Sequence, residues 1–256
     1  VDTPAYRKGN PVWTGEGEDV VDVATPEPET EPEPTASREG RATAAAVLRA
    51  LYAADGALRE AEDELARLDA VAGDGDHGRG MTRGSAAAVA AAEEEIRRGA
   101  GPQAVLVAAG DGWAAKAGGT SGALWGAALR SFGDHLPADR AVVPSDLVEG
   151  AAAALAAVRR LGRAEPGDKT LVDALIPFVD ELREAVAGGA GGFEAWRRAA
   201  SVATTAAEGT AQLRPRTGRA RPLADRSVGV PDPGATSLAL VLNRVSTALT
   251  RTTATE

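Results

Sequence analysis

The sequence predicts an all-α protein of eight helical segments behind an extended leader. Three observations carry that prediction. From Arg41 onward apolar residues recur at three-, four- and seven-residue steps, as in Val47, Leu48, Leu51, Leu58, Leu65 and Leu68. No run alternates apolar and polar residues long enough to make a strand. Prolines and glycines punctuate the helical stretches where helix ends tolerate them. Pro102, Pro144 and Pro233 stand at starts, and Gly99, Gly133, Gly162 and Gly188 near ends.

Residues 1–38 stand apart from these segments. Pro26-Glu-Pro-Glu-Thr-Glu-Pro-Glu-Pro34 alternates proline with acid. Such a stretch is extended and solvated, rising about 3 Å per residue. It reads as a spacer between two folded bodies, and Val1 to Trp13 as the tail of an upstream domain. The missing initiator Met fits a piece excised from a longer chain. The helical domain then runs over 39–256, its segments at 41–68, 79–98, 102–116, 122–133, 144–162, 170–187, 191–212 and 233–249. Their alanine content predicts helices that approach one another closely.

Four polar, glycine-rich stretches interrupt the helices. The first, Asp69-Ala-Val-Ala-Gly73-Asp74-Gly75-Asp76-His77-Gly78, places three carboxylates in a D-x4-D-x-D spacing. Packed so closely they repel one another unless a cation neutralises them, and a hard divalent ion with oxygen ligands suits that task. A helix cap needs one carboxylate, which leaves two unexplained. The twelve-residue ladder and closing Glu of an EF-hand are absent. The second stretch, Gly118-Gly119-Thr120-Ser121-Gly122, offers helix-start amides and two hydroxyls to a phosphate; the alternative is an ordinary turn between helices.

The third, Gly167-Asp168-Lys169-Thr170, approaches a Walker A loop. Asp168 interrupts that motif, and the preceding segment is an Ala/Leu helix rather than a strand, which excludes a P-loop. A polar turn is the alternative. The fourth runs from Gly218-Arg219 to Val230-Pro231-Asp232-Pro233-Gly234. Asp232 and Pro233 form an N-cap and first-turn pair. Arg219 has the planar fork that grips phosphate, against the alternative of a solvated loop side chain. His77 falls inside the acidic loop. His135 reads as a surface residue, and Trp113 and Trp125 as core.

Bulk properties narrow the function. The 256 residues carry a net charge of −9, which argues against nucleic-acid binding. There is no cysteine, hence no disulfide, thiolate metal site or cysteine nucleophile. No apolar run reaches the roughly 18 residues of a membrane span, and Val1-Asp-Thr-Pro is no signal peptide. The compartment indicated is the cytoplasm.

In this order the four stretches resemble the nucleotide-binding L domain of the dihydroxyacetone kinase family, over about residues 41–250. The matching motifs are Asp69-x4-GDGDHG, GGTSGALWG at 118–126, GDKTLVDALIP at 167–177 and GRA…DRS-x-GVPDPGATS at 218–237. Val1-Asp-Thr-Pro-Ala-Tyr resembles the close of that family's substrate domain. The resemblance implies an eight-helix antiparallel barrel with its site at one rim. It implies that Asp69, Asp74 and Asp76 hold two Mg²⁺. It also implies that His77, Gly78, Arg79, Gly80, Thr120, Ser121, Gly167, Arg219, Asp232, Pro233 and Gly234 contact ATP or ADP, with Ile176 beside the adenine. Arg219 is in addition the catalytic candidate. The chain departs from the family where Arg219-Ala-Arg-Pro-Leu-Ala-Asp replaces the more usual Arg-Ala-Ser-Tyr-Leu-Gly-Glu.

The implied activity is phosphorylation of a short ketose, triose or tetrulose, by the Mg-ATP-binding half of a kinase. This half is expected to be inactive without the substrate-binding K domain, upstream or on a separate subunit, through which the protein would form a homodimer. The alternatives are an ADP-holding phosphotransfer module, a nucleotide sensor that docks on a partner, and an FMN-forming lyase activity. The leader favours the fused, ATP-using form.

Overall fold

The computed structural model describes residues 36–216 and 224–253. The spacer and upstream tail read at 1–38 therefore fall almost wholly outside the described residues. Among those described there are helices and turns and no strand, as the periodicity predicts.

The predicted segment 41–68 is two helices, α1 (Arg38–Glu60) and α2 (Glu62–Ala70). Ser37 caps α1 by accepting the Gly40 N–H at 3.0 Å. The break falls at Ala61, with φ −101° and ψ 7°. Glu62, Asp63 and Glu64 crowd the first turn of α2. Carboxylates are favoured at the positive end of a helix dipole and gain nothing in mid-helix, so the chain restarts there.

The remaining segments lie within a few residues of prediction: α3 (His77–Arg97), α4 (Pro102–Ala117), α5 (Gly119–Gly133), α6 (Pro144–Gly162), α7 (Val172–Ala187) and α8 (Gly192–Gly209). A 3₁₀ turn (Thr210–Gln212) extends α8, a single-turn α9 (Ala224–Ser227) was not anticipated, and α10 (Pro233–Thr253) follows.

Contacts between helices run in a closed order. The helices α1, α3, α4, α5, α6, α7, α8 and α10 each pack on the next, and α10 returns to α1, with α2 lying against α3 and α10. Small residues make the close approaches. A Cβ at Gly126 would stand 2.6 Å from the Gly110 carbonyl, and one at Gly110 equally close to the Gly126 carbonyl, so α4 and α5 touch backbone to backbone.

The core is alanine-rich with an aromatic centre. Trp113 and Trp125 stack at 4.8 Å between ring centroids. Phe178 and Phe132 meet Trp196 edge-on, and the Trp196 indole N–H donates to the Leu242 carbonyl at 3.1 Å, joining α8 to α10. Inside the ring is an apolar cavity of about 610 Å³ lined by Leu51, Trp113, Phe178, Trp196 and Leu242 among others. His135 is exposed, as expected. Among the described residues no helix is long and apolar enough to cross a membrane.

Candidate functional site

Every second connection of the ring ends on a polar loop: α2 to α3, α4 to α5, α6 to α7, and α8 to α10. Residues from all four line one cavity of about 330 Å³, which places those connections at the same rim.

The acidic loop is the most densely built part. Asp69 closes α2, while Asp74 and Asp76 lie in the link to α3, and one carboxylate oxygen from each falls within 4.8 Å of the others. Asp69 also supplies the cap that no nearer side chain gives α3. Its Oδ2 accepts the Asp76 N–H at 3.0 Å and the His77 N–H at 3.4 Å. The capping role and the cation-ready cluster thus coexist in one residue. Gly73 keeps the cluster open, because a Cβ there would stand 2.4 Å from Asp69 Oδ1. Three hard oxygen donors with space beside them fit a divalent ion such as Mg²⁺.

His77 opens α3 with its ring turned inward, its Nε2 3.0 Å from Ser237 Oγ on α10. Burial lowers its pKa, with the charges of Asp69 and Asp76 opposing. The imidazole therefore ties the acidic loop to the last helix rather than facing solvent.

Across the cavity, Gly118 ends α4 and precedes α5 at φ 75° and ψ 171°, a backbone that a residue with a side chain avoids. This sharp junction brings Thr120 and Ser121 onto the cavity. The turn before α7 is organised by Asp173, whose carboxylate accepts the Gly167 N–H at 2.5 Å and the Thr170 N–H at 2.8 Å. Asp232 caps α10 by accepting the Ala235 N–H at 2.8 Å, as its pairing with Pro233 predicts. Its own N–H donates to Thr210 Oγ1 at 2.8 Å. Burial pushes the Asp232 carboxyl up to about 7, with Asp173 adding to the rise and Lys169 opposing it.

Of the residues singled out in the sequence, Asp69, Asp74, Asp76, His77, Gly80, Thr120, Ser121, Asp232, Pro233 and Gly234 surround this cavity. Gly78, Arg79, Gly167 and Ile176 lie outside its lining. Gly78 is buried where α3 crosses α2, Arg79 is exposed, and Ile176 packs against the core. Arg219 lies outside the described residues. The sequence reading missed Met81, Leu124, Lys169 and Ser227, which also line the cavity. Leu124, Lys169 and Ser227 lie inside the quoted motifs without having been singled out there, whereas Met81 carried no signal.

Fold and site together define a class: an all-helical domain that gathers carboxylates, hydroxyls and the starts of α3, α5 and α10 around one cavity at the rim of a ring. The family model Dak2, the DAK2 domain, matches residues 71–247. The chain belongs to that family.

It is 50% identical over 254 residues to a D-erythrulose kinase of Mycolicibacterium smegmatis, covering 98% of this chain and 44% of that protein. It is 46% identical to an L-erythrulose kinase of Pectobacterium atrosepticum, covering 97% and 41% respectively. The chain thus spans less than half the length of either kinase. It is 32% identical to the ADP-binding subunit DhaL of the PEP-dependent dihydroxyacetone kinase of Escherichia coli, covering 72% of this chain and 87% of that subunit. Among solved structures, the native dihydroxyacetone kinase of C. freundii matches with a TM-score of 0.58 at 25% identity, over 90% of this chain and 38% of that one. The structure of that kinase in complex with AMP-PNP and Mg²⁺ matches with a TM-score of 0.59 at 24% identity, over the same shares.

Proposed function

We propose that this chain is the nucleotide-binding part of an ATP-dependent kinase for a short ketose, with a four-carbon ketose as acceptor. The observation that carries the reading is the convergence of Asp69, Asp74 and Asp76 on one point beside the start of α10. The relatives refine it. The two matches near 50% identity are erythrulose kinases, while the PEP-dependent subunit stands at 32%. That order supports direct use of ATP over a resident ADP recharged by a partner.

In this reading the three aspartates hold two Mg²⁺. When bound, the metal neutralises charge on the phosphate oxygens of the nucleotide. The protein's own task is positioning. Asp69 orients the start of α3 while presenting its carboxylate to the cavity. Thr120, Ser121 and the amides at the start of α5 meet phosphate oxygens, as do Gly80 and the Asp232–Gly234 turn. His77, held by Ser237, fixes the distance between the acidic loop and α10. Gly78 and Arg79, in the first turn of α3, and Gly167, before α7, support these contacts; in this reading Ile176 would flank the adenine from the core side and Arg219 would add a positive clamp. Removing one stabiliser of transferring charge typically costs on the order of 10²-fold in rate.

The ketose is held by a K-type substrate domain, upstream in the same polypeptide or on another subunit, and a homodimer forms through that domain. The cysteine-free composition suits the cytoplasm.

Calorimetric titration of the chain with ATP and Mg²⁺ tests the reading. Binding is expected, is expected to require Mg²⁺, and is expected to disappear in Asp74→Ala. Binding indifferent to both would refute the nucleotide assignment.

A further inference from the structure

Lys169 is a cation that the assignment above leaves without a task. It is 5% exposed, lines the cavity, and sits at φ 62°, in the left-handed region that costs a residue with a side chain. Burial depresses its ammonium below the ordinary lysine range, with the charge of Asp232 opposing. Keeping a buried cation needs compensation from well-placed acceptors.

Those acceptors are backbone carbonyls of the connection into α10. The Lys169 ammonium donates to the Leu213 carbonyl at 3.2 Å and to the Ser227 carbonyl at 2.5 Å. Leu213 follows the 3₁₀ turn after α8, and Ser227 ends α9. One side chain thus bridges two separated points of the connection into α10. Backbone bonds lie alongside it. The Arg216 N–H donates to the Asp168 carbonyl at 3.3 Å, and the Gly229 N–H to the Ala211 carbonyl at 2.7 Å. Ser227, Val230 and Asp232 to Gly234, which follow, form one wall of the cavity. Without a cation between them, the negative ends of the two carbonyl dipoles would converge uncompensated beside the cavity.

We propose that Lys169 is a positioning residue of the nucleotide site: its ammonium holds Leu213 and Ser227 together and so sets the wall from Ser227 to Gly234 against which the phosphates of a Mg-nucleoside triphosphate lie. The proposal rests on the nucleotide reading above. It acts through the two carbonyls, so a side chain able to donate to both should replace it.

The test uses the 256-residue chain as wild type, Asp74→Ala, Lys169→Met and Lys169→Arg. Mg-ATP binding is read by calorimetry. Binding of Mn²⁺ alone, read by electron paramagnetic resonance, reports the acidic loop separately. Lys169→Met is expected to weaken Mg-ATP about tenfold or more, the scale of a lost charge-assisted hydrogen bond. Mn²⁺ binding should stay unchanged, and Lys169→Arg should recover most of the loss. Wild-type affinity in Lys169→Met overturns the proposal, and so does equal impairment of both variants with Mn²⁺ binding intact. Should Lys169→Met lose its helical circular dichroism, amide exchange in the wild type decides. Mg-ATP must then slow exchange at Arg216 and Gly229, and no slowing overturns the proposal. If Lys169→Met binds normally while Asp74→Ala does not, only this inference fails. If the wild type does not bind Mg-ATP, the nucleotide reading fails and takes this with it.

Discussion

Asp232 shows how one side chain answers to two demands. It caps α10, yet its carboxyl is enclosed, and burial pushes it up to about 7 from an ordinary 3.8. Since the folded value lies above the unfolded one, the group's contribution to stability is fully present below about pH 4 and is lost as pH rises through about 7. Asp232→Asn keeps an oxygen for the cap and removes the titration. In metal-free buffer, urea unfolding of the wild type at about pH 5 and about pH 8 should show most of this loss, on the order of 3 kcal/mol at most. The variant should show a smaller difference, and equal slopes in the two proteins would contradict the enclosed carboxyl. At this scale the sequence was most legible where chemistry is packed into a few residues. Asp69, Asp74 and Asp76 are close in the chain and so close in space. Lys169 has partners at Leu213 and Ser227, on a different connection, and nothing in its own turn names them.

At the scale of elements, helices followed from periodicity and punctuation, and the departures have local causes. The predicted 41–68 segment parts at Ala61 because three acids crowd the next turn. Pro177 lies inside α7, where its missing N–H would have bonded the Asp173 carbonyl, yet the helix continues through it. The single turn of α9 lacks the length that makes a periodic signal. The α4–α5 contact was hidden too. Glycine is a poor helix former, yet at Gly110 and Gly126 its value is the absence of a Cβ between two touching backbones. Gly126→Ala gains helix propensity but must separate the helices. A net loss of about 1–3 kcal/mol is expected in urea denaturation. An unchanged midpoint would mean that the contact is looser than the structure shows.

At the scale of the whole molecule, the ring gathers four connections at one rim and its interior is apolar. Ligand binding at that rim should couple to global stability, because the four loops belong to helices all around the ring. At a Mg-ATP concentration about a hundredfold above Kd, stabilisation of about 2.7 kcal/mol is expected, or roughly 5–10 °C in melting temperature. Scanning calorimetry should show that shift with Mg-ATP, and no shift in Asp74→Ala. A shift of equal size in the variant would place the ligand away from the acidic loop.

The chain by itself determined its helices, the acidic loop and the family those motifs spell, because each depends on neighbours a few residues away. Dipoles, caps and crowded carboxylates act over short stretches of sequence, so their traces survive in it. The closing of α10 onto α1, the pairing of His77 with Ser237 and the reach of Lys169 to two distant carbonyls were decided only in three dimensions. They depend on which surfaces of separate helices meet, and packing between distant segments leaves no periodicity to read.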